Sequence, residues 1–154
     1  MKLNFIRAVG LFFAAYIIVT ILAAATTECY GLISKLPPPP PGVSPVKTPV
    51  FLATVPYHVV IMTVVWPIFA WVYFKSGHNR TPHKEKAEAR NLALLWLALA
   101  MIVDCVGFVL IKHPYSLSAH AFYVDYQPWI SLIYLAIFLS PWIRLWLSRG
   151  AIGR

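Results

Sequence analysis

Four long apolar blocks, each about as long as the ~20 residues a helix needs to cross a bilayer, constrain this chain more than anything else in it. They cover residues 5–27, 50–74, 92–111 and 129–147, with polar or proline-rich stretches between them. In a hydrocarbon layer a helix satisfies every backbone polar group within one segment, so blocks of this length predict membrane-spanning helices. Each is almost free of charge. The first carries Arg7 at its start and the fourth Arg144 near its end; the second holds His58 and the third Asp104. The expected fold is therefore an all-α integral membrane protein, a single-domain bundle of four transmembrane helices. Composition agrees: 60% of the 154 residues are hydrophobic and 12% charged, too few charges to cover a soluble domain of this size.

Orientation follows from the basic residues, because cytoplasmic flanks retain Lys and Arg while translocated loops are depleted of them. Lys2 and Arg7, then Lys75, Arg80, Lys84, Lys86 and Arg90 in the 75–90 loop, then Arg144, Arg149 and Arg154, place ten basic residues on one side. Lys35, Lys47 and Lys112 are the three on the other. With four spans, this predicts both termini and the 75–90 loop inside. The net charge of +8 is then mostly topology. Divided among three short flanks it forms no stripe that would suit a nucleic acid, and the expected counter-ions are lipid headgroups. The first block is longer than the ~7–15 apolar residues of a cleaved signal, so it is read as a retained span. The short connections and this signal-like start fit a cell membrane of the bacterial inner-membrane type.

Between the first two blocks, Pro37 to Pro41 run without interruption, and the outside loop 37–49 reads as an extended, stiff spacer. Pro67 lies inside the second block, where its ring removes one backbone hydrogen bond and frees the carbonyl of Thr63. Thr81 followed by Pro82 forms a helix start, so the third helix is expected to begin before the membrane. Glu85, Lys86, Glu88 and Arg90 are read as a solvated face. Tyr115, Phe122, Tyr123, Tyr126 and Trp129 mark the second outside loop as interfacial.

An ionisable side chain in mid-span costs about 2.5–3.5 kcal/mol on insertion scales and usually has a partner. His58 lies roughly 12 Å and Asp104 roughly 10 Å from the outer ends of their helices, by the helical rise. The short connection between the second and third helices predicts antiparallel neighbours, and hence a direct contact between His58 and Asp104. Ala93, Ala100, Asp104 and Gly107 share a face of small residues that turns the carboxylate into the bundle. Such a pair is either a proton-responsive or ion-binding centre or a structural bond that fixes helix register. Glu28, His113, His120 and Asp125 are the candidate polar groups of the outer mouth. They show no ligand spacing of a known metal site, so neither a metal nor another cofactor is expected. Cys29 and Cys105 lie at different depths and are read as free thiols.

No nucleophile elbow, phosphate loop or pair of carboxylates at catalytic spacing is present, and no catalytic residue is assigned. The first functional reading is a non-catalytic accessory or assembly subunit of a membrane complex, partnered by the bilayer and by another membrane protein or further copies of itself. The alternatives are an oligomeric proton- or ion-coupled transporter using His58 and Asp104, and an intramembrane enzyme acting on a lipid-like substrate with His58 as base.

Overall fold

The computed structural model describes residues 3–35, 43, 47–75, 82–113 and 115–152. The proline run 37–41 and Thr81 lie outside the described residues. Four helices account for most of the rest: α1 (Phe5–Ser34), α2 (Pro49–Lys75), α3 (Pro82–Asp104) and α4 (Trp129–Ile152). A π-helical segment, Cys105–Leu110, continues α3, and a second, Ala121–Asp125, precedes α4. All four helices are long and apolar enough to cross a membrane. We call the end holding Phe5, Lys75 and Pro82 proximal, and the end holding Ser34, Pro49 and Trp129 distal.

Local chemistry sets the helix ends. Asn4 accepts the amide of Arg7 through its side chain at 3.2 Å, a cap for α1, and Lys35 turns left-handed (φ 50°) to end it. α1 therefore runs seven residues beyond the apolar block ending at 27. Thr48 caps α2, its hydroxyl accepting the amide of Phe51 and its carbonyl that of Leu52. This places Pro49 at the first helical position, where no amide donor is needed. In α4 the ring of Pro141 deprives the Ile137 carbonyl of its helical donor. The hydroxyl of Ser140 supplies another, at 2.7 Å.

The order of helices around the bundle departs from the sequence reading. α1 packs on α2, α2 on α4 and α4 on α3, and α3 closes the ring against α1 along a lighter seam. α2 and α3 thus stand diagonally opposite, their backbones apart, and meet through long side chains such as Trp66 with Trp96 and Tyr73 with Glu88. The short connection is long enough for this: six residues reach about 20 Å, whereas the diagonal of four helices spaced ~8–10 Å apart is only about 13 Å.

Packing is uneven along the bundle axis. In the proximal half, Ala8, Phe12, Ala15 and Val19 present one face of α1 to Trp66, Ala70 and Tyr73 of α2 and to Leu92, Trp96 and Ala100 of α3, all buried. Small residues beside large rings let the helices interdigitate. Phe12 meets Trp66 at 5.5 Å, and Trp66 meets Trp96 at 5.3 Å. The indole N–H of Trp96 donates to the carbonyl of Ala8 at 2.9 Å across the α1–α3 seam. Beyond Val19, by contrast, no residue of α1 is buried.

The charges expected to form a solvated face at the start of α3 are divided. Lys86 and Arg90 are exposed, but Glu88 is buried and accepts the hydroxyl of Tyr73 at 2.8 Å. That same oxygen of Tyr73 accepts the amide of Asn4 at 3.1 Å. Glu85 forms an ion pair with Arg144, whose guanidinium also lies over the ring of Phe74. Arg7 donates to the carbonyl of Val72 at 2.8 Å. Charge at this end ties the helices together because α3 starts on the proximal surface of the bundle, where α2 and α4 offer it partners.

Candidate ligand-binding cavity

Where α1 no longer buries any residue, the bundle is hollow. A cavity of about 770 Å³ occupies the distal half, walled by α1, α2, α4 and the two π-helical segments. This lies within the roughly 300–1,000 Å³ of ordinary small-molecule sites. Its floor is formed by Tyr16, Trp66, Asp104, Ile133 and Ile137, and its mouth by Glu28, Gly31, Thr48, His113 and Tyr115.

His58 and Asp104 both line this cavity, but they do not bond to one another. The diagonal placement of α2 and α3 separates them, and each finds its partner on α1. The hydroxyl of Tyr16 donates to Asp104 Oδ1 at 2.5 Å. His58 Nε2 lies 3.2 Å from Thr27 Oγ1. A proton count assigns the donor. Thr54 gives its proton to the Phe51 carbonyl, and Thr27 has one proton for the Ala23 carbonyl or for Thr54 Oγ1. His58 Nε2–H therefore donates to Thr27 in the arrangement that leaves the fewest groups unmet.

Asp104 is 6% exposed. Tyr134, from α4, stands beside it and also beside Tyr123, yet its hydroxyl is buried without a hydrogen bond of acceptable geometry. The indole N–H of Trp66, on the cavity floor, is likewise without a hydrogen-bond partner. Ala93 and Ala100 are buried with Asp104. Gly107 does not mediate a close approach, since nothing lies within 4 Å of a Cβ placed there.

The four outer groups separate into two pairs. Glu28 and His113 line the mouth. Both nitrogens of His113 are committed: Nδ1 accepts the amide of Tyr115 at 3.1 Å, and Nε2 donates to the Gly107 carbonyl at 2.6 Å. With Ile111 N on the Val106 carbonyl and Leu117 N on that of Phe108, this satisfies the carbonyls left open where the third helix ends. His113 is thus a neutral structural histidine. His120 Nδ1 lies 3.2 Å from Asp125 Oδ1, both side chains exposed, and neither is part of the cavity wall. Among the described residues no three His, Cys, Asp or Glu side chains gather to hold a metal ion. Cys29 and Cys105 are both free thiols.

Aromatic side chains form one wall, among them Phe122 and Tyr126, which the sequence marked only as interfacial rings, and Phe51 and Phe108, which it did not single out. His58 meets Phe51 at 5.4 Å, Phe51 stacks on Tyr126 at 6.1 Å, and Tyr126 on Phe122 at 6.5 Å. Phe122 stacks on Phe108 at 5.7 Å. Burial holds the phenol of Tyr126 above its ordinary pKa, so it presents a neutral hydroxyl. Phe108 was detectable, lying one turn beyond Asp104. Phe51 and Phe122 come together only through the fold. Compared with protein-family models, curated proteins and solved structures, the chain matches none of them.

Proposed function

We propose that the chain is a non-catalytic, multi-pass protein of a cell membrane, its proximal end and both termini cytoplasmic, that holds one small, largely apolar molecule in the distal cavity. The cavity itself carries this reading: a hollow of about 770 Å³ with apolar and aromatic walls and a few convergent polar groups. Support for a bilayer setting comes from large apolar side chains exposed around the bundle, among them Ile17, Ile21, Val60, Val64, Ile102 and Leu135. The ten-to-three division of basic residues supports the orientation.

Binding is favoured over catalysis because a histidine acting as base needs a group that orients it, and His58 bonds to Thr27 instead of a carboxylate. An accessory role in a larger membrane complex suits a chain that holds a molecule without transforming it. The test compares the wild-type protein with Ala24→Trp, which fills the cavity from its α1 wall, after purification in the same mild detergent. Mass spectrometry of organic extracts should find a small apolar molecule in stoichiometric amount with the wild type and a marked loss with the variant. Equal retention by the two proteins at equal helicity would sink the reading.

A further inference from the structure

The proposed binding reading says where a molecule sits; the charge of the cavity says which kind. The chain has thirteen Lys and Arg against five Asp and Glu. The described lining nevertheless includes two carboxylates, Glu28 and Asp104, and no Lys or Arg. The basic residues of the distal end, Lys35, Lys47 and Lys112, are exposed and lie outside the lining. His113 adds no positive charge, for its Nδ1 is an acceptor. In a strongly basic protein, the lining of this cavity is thus selectively acidic.

Its aromatic content points the same way. Tyr16 and Trp66 share the floor with Asp104, and Phe108 and Phe122 rise from it as a stacked pair. Ring faces carry negative potential and attract cations, more strongly where water is excluded. The carboxylate of Asp104 is almost fully buried and receives one hydrogen bond, from Tyr16. A buried carboxylate is costly unless paired, and among the described residues no Lys or Arg lines the cavity beside it.

Resting on the binding reading above, we propose that the occupant is a lipophilic cation, an organic ammonium or similar onium group with apolar substituents, with Asp104 as its counter-ion and the floor rings around its charge. The apolar walls take the substituents. Glu28 at the mouth adds attraction along the entry path.

The test uses two probes of the same shape, methyltriphenylphosphonium and its uncharged isostere 1,1,1-triphenylethane, titrated into purified protein in detergent against protein-free micelles. The wild type should bind the cation at least about tenfold more tightly than the neutral probe, a modest demand for an ion pair out of water. Asp104→Asn should bring the two affinities together, and Asp104→Glu should restore much of the preference. Comparable binding of both probes by the wild type would overturn the cationic assignment and leave the cavity reading standing. Binding of neither above the micelle blank would overturn both. The probe comparison on the wild type needs no variant, so it decides the matter even if Asp104→Asn fails to fold.

Discussion

Replacing Tyr16 by Phe tests the α1–α3 seam directly, because it removes one oxygen and keeps the ring that packs 5.7 Å from Phe12. Hydrogen bonds to charged groups contribute about 1.5–3 kcal/mol in soluble proteins. Interhelical bonds in a bilayer average ~0.6 kcal/mol and reach ~1.7, because the unfolded chain in lipid also finds partners. Asp104 is a buried carboxyl with one such bond, so the upper end of the bilayer range applies. The expected loss is about 1.5 kcal/mol, roughly tenfold in the folding equilibrium. Tyr134→Phe is the control: it sits beside the same carboxyl, but its hydroxyl has no hydrogen bond of good geometry, and the change should stay within about 0.5 kcal/mol. Reversible unfolding in mixed micelles, followed by circular dichroism, measures both. In a cycle with Asp104→Leu, the double variant should lose clearly less than the sum of the singles. Additivity within about 0.5 kcal/mol, or an equal cost for the two tyrosines, would refute the assignment of Tyr16 as the partner of Asp104.

At the proximal end, Tyr73→Phe removes the donor to Glu88 and the acceptor of the Asn4 amide. It should cost about 1–3 kcal/mol in the same unfolding assay, whereas exposed Lys86→Ala should change stability by less than about 0.5 kcal/mol. Ser140→Ala should cost about 1 kcal/mol while Pro141 is present and much less in a Pro141→Ala background, where the Ile137 carbonyl regains its amide donor. For orientation, a membrane-impermeant maleimide should label the exposed, distal Cys29 in intact cells. A cysteine at Lys86, in a chain lacking Cys29 and Cys105, should react only after permeabilisation; the opposite pattern would invert the proposed topology.

The helices were legible because span length and freedom from charge are local properties, and each apolar block lies largely within a helix. Their ends were less so: α1 runs on to Ser34 because leaving an apolar layer does not oblige a helix to stop. The depths of His58 and Asp104 were legible from helical rise, and both reach one cavity. Their partners were not, since a short connection limits the distance between two helix ends without deciding whether they are adjacent or diagonal. The same uncertainty hid Tyr16 and Thr27, which the sequence offers only as hydroxyls at suitable depth. Glu88 was misjudged for a different reason. A glutamate among lysines looks solvated until α3 is known to pack with Tyr73 of α2 at hand.

The contrast between the two halves of the bundle links packing to the proposed binding role. Proximally, small residues and interlocking tryptophans fill the space between helices, and buried or half-buried charges are paired across them. Distally, the third helix changes to π-helical geometry at Cys105, immediately after Asp104. π turns are rare and concentrate at functional sites. The wider turn puts Phe108 against Phe122 on the cavity wall and leaves carbonyls that Ile111, His113 and Leu117 then satisfy. α1 keeps its helix through this region without a buried residue, held there by Thr27 and by its contacts with α2. A filled half that fixes the fold and an open half that holds a carboxylate among rings is a sound division for a small binding protein. The filled half supplies stability, so the open half need not contain a side chain that completes its own packing.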